Sequence, residues 1–310
     1  MRLFRPAALV ALLCLLAAVP GRATPDGASS GPRFDGQAAL RWVHRQCDFG
    51  PRAPGSPGHA AALADFRAYF DSLGLERTSQ VFETNSPLDG APLVLTNVIV
   101  RVRPELRPRL LLGAHWDTRP IADLDADPAR RQTPILGAND GASGVAVLAV
   151  LAQMLRDQPP PIGVDLVLFD GEDLGRHDRP EEFCLGSQWM VENWVGPWPD
   201  AVLILDMVGA PGAVFPREQF AHARAPEWVE LPFEIAKRKG FQEWDLTTGY
   251  SIIDDHVAFL GKGVPASVLI GWGDPAWHTT GDRPERLSAQ VLGRVGEVVT
   301  ELIYGGYLAP

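Results

Sequence analysis

Short apolar runs alternate with amphipathic stretches along most of this chain. Runs of strand length lie at Glu76 to Phe82, Leu93 to Val102, Arg109 to Ala114, Val164 to Phe169, Ala201 to Leu205 and Val264 to Ile270. Leu110 to Leu112 is continuously apolar and Val164 to Phe169 is apolar but for Asp165, as central strands covered on both faces are. Apolar residues recur at helical spacing in Phe34 to Cys47, Pro57 to about Leu73, Ala142 to Leu155, Gly186 to Asn193, Glu227 to Lys239 and Leu287 to Tyr304. Ser56 caps the second of these helices and Pro57 opens it, while Gly74 stops it. Strands alternating with helices predict an α/β fold, with a mostly parallel sheet and helices on both faces. The strands near residues 80 and 97 adjoin in sequence, which predicts an antiparallel hairpin at one edge.

Composition narrows the class. A chain of 310 residues, 46% hydrophobic and 21% charged, can bury a large core. Its net charge of -10 argues against nucleic acid as a partner. No linker-like tract divides residues 34–310, which are expected to form one catalytic domain and to act as a monomer. Residues 1–23 have the pattern of a secretory signal: Arg2 and Arg5, an apolar stretch from Ala7 to Val19, then Gly21-Arg22-Ala23. The expectation is an exported protein, periplasmic or secreted, with a flexible leader at 24–33 and no stable membrane insertion after cleavage. Cleavage removes Cys14 and leaves Cys47 and Cys184, whose pairing the spacing leaves open.

Candidate chemistry collects at strand ends. The run Leu110 to Leu112 leads to His115 and Asp117; Val164 to Phe169 leads to Glu172 and Asp173; Ala201 to Leu205 ends at Asp206; and His278 lies beyond the last strand. Asp140 precedes the helix that begins at Ala142. A single carboxylate at such a place is usually a helix cap or a loop charge. Several together, where open α/β sheets bind ligands, point to a metal site, and imidazole with carboxylate suits zinc.

The blocks FGPRAPGSPGH, GAHWDTRP, GANDGASG, FDGEDLG, LDMVGAP, DDHVAFLGKGVP and WHTTGD resemble the glutaminyl-peptide cyclotransferases, in particular the animal-like bacterial form. That family shares its fold with the co-catalytic zinc aminopeptidases. The resemblance implies a three-layer α/β/α architecture with a mixed, mostly parallel central sheet, zinc aminopeptidase-like. It implies that Asp140, Asp173 and His278 bind one zinc and that Glu172 is the general acid/base. Asp206 and Asp254 would form an acidic network beside Glu172, and Trp277 would line the pocket. His115 and Asp117 match the HxD motif. In the aminopeptidases the His serves a second zinc and the Asp orients the bridging ligand; Asp206 matches another second-metal ligand.

Two departures stand out. Glu172-Asp173 replaces the Glu-Glu frequent in the cyclases, and Leu174 to Phe183 lacks the tryptophan that animal cyclases place there. Trp272 and Trp189 are candidate substitutes. Two reactions follow from the resemblance. A cyclotransferase converts the N-terminal Gln of a peptide or protein to pyroglutamate with one zinc, releasing ammonia. A dinuclear aminopeptidase would instead use a second zinc at His115 and Asp206 to make hydroxide and release N-terminal residues. The remaining histidines, His44, His59, His177, His222 and His256, read as surface or satisfied core residues, with His256 close enough to Asp254 to bond within the site region. Arg119 and the acidic loop Asp123 to Asp127 read by default as a solvated loop, with a place at the border of the pocket as the alternative.

Overall fold

The computed structural model describes residues 31–242 and 244–308, with the backbone alone at 245–248. The expected signal and most of the leader lie outside the described residues. In chain order the elements are α1 (Gly36–Cys47), α2 (Pro57–Ser72), β1 (Glu76–Asn85), β2 (Pro92–Val102), β3 (Arg109–His115), α3 (Ala142–Asp157), β4 (Gly163–Phe169) and α4 (Leu185–Glu192). There follow β5 (Ala201–Asp206), β6 (Phe215–Arg217), α5 (Gln219–Arg224), α6 (Pro226–Arg238), β7 (Trp244–Thr248), α7 (His256–Gly261), β8 (Ala266–Ile270) and α8 (Ala289–Tyr304).

Six strands form one sheet in the order β1-β2-β4-β3-β5-β8. The first two pairings are antiparallel and the other three parallel. The edge hairpin predicted from adjacency is therefore present. Every residue of β3, β4 and β5 is buried, as their largely apolar sequences require. Successive strand residues point to opposite faces, and this assigns the layers. A Cβ at Gly144 of α3 would meet Ala114, whereas one at the neighbouring Gly113 would meet Phe169. Phe169 packs on Phe259 of α7. Helices α3 and α7 thus cover opposite faces, which makes the three layers. A buried bidentate pair, Arg109 to Asp165 at 2.7 Å for both bonds, ties β3 to β4 at their starting ends.

The four parallel strands β4, β3, β5 and β8 all run out at one edge, and their following loops meet there. Four short elements escape the periodicity. Strands β6 and β7 pair as a small separate sheet, and α5 and α7 are short helices. Each is too short to show a period, and β6 carries Pro216 at its centre.

Candidate metal centre and acidic pocket

Backbone anchoring sets each site residue in place. Strand β3 delivers His115 at its last position. Two residues on, the fully buried Asp117 accepts the N–H of Glu172 at 3.1 Å and of Asp173 at 3.2 Å. The loop after β4 is fixed from the other side, where Asp170 accepts from Thr96 N at 2.6 Å and bonds His59 Nε2 at 3.0 Å. His59 is thus a satisfied core histidine, stacked 4.2 Å from Trp116. Buried Asp282 accepts from Asn139 N at 2.8 Å and Asp140 N at 3.1 Å, and so holds the turn before α3. Gly141 completes that turn; a Cβ there would lie 2.3 Å from the His115 carbonyl oxygen.

These anchors bring the strand-end residues together. His278 Nε2 lies 3.2 Å from Asp173 Oδ1 and 3.7 Å from Asp140 Oδ2. His115 Nε2 lies 3.1 Å from Asp140 Oδ1 and 3.2 Å from Asp206 Oδ1. Asp140 therefore stands between two donor groups, Asp140–Asp173–His278 and His115–Asp140–Asp206, all buried. Zinc takes such ligands at about 2.0–2.2 Å in tetrahedral geometry, which puts neighbouring donor atoms about 3.3 Å apart. Oδ2 of Asp140 and Oδ2 of Asp173 are buried without a hydrogen-bond donor. Buried carboxylate oxygens are costly in that condition unless a cation faces them. The first group, two carboxylates and one imidazole, fits a zinc ion.

Behind the donors lies a cluster of acids. Burial pushes the half-buried Glu172 well above the usual carboxylate range, and the charges of Asp173, Asp254 and Asp255 add to it while His115 opposes. Asp254 is pushed up to about 7, by burial first and then by Asp206. Asp206 rises through burial and the Asp140 charge. Burial works against a charge on His115, yet contacts with Asp117, Asp140 and Asp206 outweigh it, so this imidazole is held well above its ordinary value. Asp255 was not among the residues singled out from sequence. It is fully buried and raised by burial and by Asp254. Only its place next to Asp254 could have signalled it. Cys184 is a second addition: its Sγ lies 3.3 Å from Glu172 Oε1, and burial keeps the thiol protonated. Cys184 and Cys47 are both buried free thiols, which closes the question of pairing.

Several expectations need correction. Trp189 stacks on Phe82 at 5.1 Å in a small apolar cluster with Leu95 and Leu174, so it does not replace the missing tryptophan. His256 is the satisfied core histidine expected, fully buried on Glu218 at 3.0 Å at α5's cap rather than bonded within the site region. His177 is exposed but sits at the site, 5.4 Å from the His278 ring and 6.1 Å from Trp277. Arg119 is not part of a solvated loop: only 1% exposed, it donates to Asp123 at 2.8 and 2.6 Å and to the Gly175 carbonyl at 2.9 Å. Asp125 is likewise buried. Trp277, implied by the resemblance as a pocket residue, and Trp272, the remaining candidate substitute, stand side by side next to His278. Their rings run outward from His278, with centroids 4.2 Å from His278 to Trp277 and 5.8 Å from Trp277 to Trp272. Tyr250, 59% exposed, continues the row 5.1 Å from Trp272. A separate cavity of about 430 Å³, floored by Ile99, Leu111 and Val167 near the starts of β3 and β4, contains none of these residues.

The profile of peptidase family M28 matches residues 97–303. Bovine (Bos taurus) glutaminyl-peptide cyclotransferase is 26% identical over 284 residues, covering 80% of this chain and 76% of that protein. The Bacteroides thetaiotaomicron glutaminyl cyclase, solved with N-acetylhistamine bound, is 35% identical with a TM-score of 0.84, covering 88% of this chain and 99% of that one. A leucine aminopeptidase precursor from the same organism is also 35% identical, with a TM-score of 0.85 over 89% of this chain and 99% of its own.

Proposed function

The chain belongs to peptidase family M28, and from that premise we infer that it is a glutaminyl-peptide cyclotransferase. It converts the N-terminal glutamine of peptides or proteins to pyroglutamate and releases ammonia, as the names of its cyclotransferase relatives indicate. We assign one zinc per chain to Asp140, Asp173 and His278. Bound there, zinc would polarise the γ-carbonyl of the substrate as a Lewis acid.

The protein's own groups do the rest. The nucleophile is the substrate's α-amine, whose ordinary pKa of about 7.7–8.0 leaves a useful neutral fraction at working pH. Its nitrogen bonds to the side-chain amide carbon, and the C–N bond to the departing nitrogen breaks. Glu172 takes the proton of the attacking amine and hands it to the leaving ammonia. That exchange asks for a carboxyl whose pKa is raised toward neutrality, and burial, with the charges of Asp173, Asp254 and Asp255, raises it. Trp277 and Trp272 hold the flexible glutamine side chain in a ring-like pose. The observation that carries this reading is Glu172 itself, half-buried next to the donor Asp173, its carboxyl raised by burial and by the charges of Asp173, Asp254 and Asp255 against the opposing His115.

A second reading, a dinuclear aminopeptidase, draws on the His115–Asp140–Asp206 group. In the cyclase reading His115 holds Asp140 and Asp206 in place, at 3.1 and 3.2 Å from its Nε2, and no second metal takes part. Zinc analysis together with parallel assays of Gln-initiated and Leu-initiated peptides separates the two. One zinc per chain and turnover of the Gln peptide alone support the cyclase; two zinc ions and release of free leucine support the peptidase. Export is part of the same reading, from the pattern of residues 1–23; among the described residues no helix is long and apolar enough to cross a membrane.

A further inference from the structure

His278 is held in a backbone conformation that L-residues rarely adopt, with φ at 54°. Such strain persists only where the surroundings over-determine it. What surrounds it is the loop from Arg119 to Asp127. The Leu124 N–H donates to the His278 carbonyl at 3.2 Å. Asp125 accepts from Thr280 twice, from its N at 3.0 Å and its Oγ1 at 2.6 Å. These three bonds tie the two loops together at His278 and just after it.

One nitrogen of that imidazole, Nε2, faces Asp173 and Asp140. The other, Nδ1, is buried without a hydrogen-bond partner, and Asp123 Oδ1 lies 3.6 Å away. The Asp123 carboxylate is not free to turn toward water. Arg119 grips both its oxygens, at 2.8 and 2.6 Å, and His177 Nε2 meets Oδ2 at 2.9 Å. The same guanidinium reaches the second ligand-bearing loop: Nη1 donates to the carbonyl of Asp173 at 3.2 Å and of Gly175 at 2.9 Å, and lies 3.4 Å from Asp173 Oδ1.

We propose that Asp123, locked by Arg119, is the positioning residue for His278: it fixes the ring and its tautomer by facing Nδ1, so that Nε2 is presented to the metal. Arg119 then sets two donors at once, Asp173 directly and His278 through Asp123. Metal-bound histidines generally need such an outer partner, and its loss typically weakens metal binding about 10–100-fold. This inference rests on the assignment of His278 as a ligand, but it does not depend on which reaction follows.

The test is zinc affinity, measured by chelator competition, together with the visible spectrum of the cobalt(II)-loaded protein. Asp123→Asn preserves the shape of the loop and removes the charge; Asp123→Ala removes the acceptor too. We expect zinc to bind about ten-fold more weakly in Asp123→Asn and up to about 100-fold more weakly in Asp123→Ala, with a shifted cobalt spectrum in both. Should Asp123→Ala fail to fold, Asp123→Asn decides. Zinc affinity within about two-fold of the parent in Asp123→Asn, with an unchanged cobalt spectrum, overturns the proposal. If that result comes with zinc loss in His278→Ala, only this inference falls; if His278→Ala also binds zinc normally, the ligand assignment falls with it.

Discussion

Replacing His278 and His115 separately by alanine tests which of the two donor groups holds the metal. His278 provides one of three donors in its group, with Nε2 3.2 Å from Asp173 and 3.7 Å from Asp140. Zinc bound by protein side chains is worth about 10–16 kcal/mol. An equal share for one of three ligands is about 3–5 kcal/mol, or about 10²–10⁴-fold in affinity. His278→Ala should therefore lose most zinc on dialysis and nearly all turnover. Its circular dichroism and melting should change little, because β3, β4 and β5 are covered by apolar side chains and not by the metal. His115 is no ligand in the one-zinc account. His115→Ala removes a bonding partner of Asp140 and Asp206, and zinc affinity should change by about ten-fold or less. The assay is zinc content after dialysis combined with chelator competition. Loss of zinc in His115→Ala as complete as in His278→Ala, or two zinc ions per parent chain, refutes the reasoning.

Three further outcomes follow from the geometry. Glu172 must be ionised to accept a proton, so kcat/KM should rise with pH through its raised pKa; Asp254→Asn removes a charge that raises it, and the acid limb should move to lower pH. An unmoved or upward-shifted limb in that variant contradicts the acidic-cluster account. A Cβ at Gly144 would lie 2.1 Å from the Leu205 carbonyl oxygen and 2.9 Å from Ala114 Cβ, both in the sheet, so Gly144→Ala should lower the urea midpoint by an amount equivalent to about 1–3 kcal/mol. An unchanged midpoint would show that α3 can shift at no cost. Burial holds the Cys47 thiol up at about 11 and Cys184 well above its usual value, so iodoacetamide at pH 8 should label neither in the native protein and both in urea.

The sheet and the donor set could be read from the chain for the same reason. Strands β3, β4 and β5 are covered on both faces, which favours largely apolar runs, and a parallel sheet sends the residues after those runs to one edge. Asp140, Asp173, His278, His115 and Asp206 meet there, as their positions in sequence suggested. What escaped were residues whose burial is decided by distant partners. Arg119, Asp123 and Asp125 look like solvated loop charges because nothing periodic surrounds them. Yet Asp125 is buried by Thr280, 155 positions on, and Arg119 by Asp173 and Gly175. His177 had no ligand-like neighbour in sequence and acquires Asp123, Trp277 and His278 only when the loops converge. Trp189 erred in the other direction. Its side chain is claimed by Phe82 on the edge hairpin, a contact that α4's own pattern does not reveal.

The most direct measurement of the central claim is the mass of a Gln-initiated peptide after incubation with the zinc-loaded protein, with Glu172→Gln in parallel. The account predicts a product lighter than the substrate by one ammonia, blocked at its N-terminus, and almost none of it with Glu172→Gln. An unchanged peptide, or one shortened by a free glutamine, would contradict it, as would full conversion by Glu172→Gln.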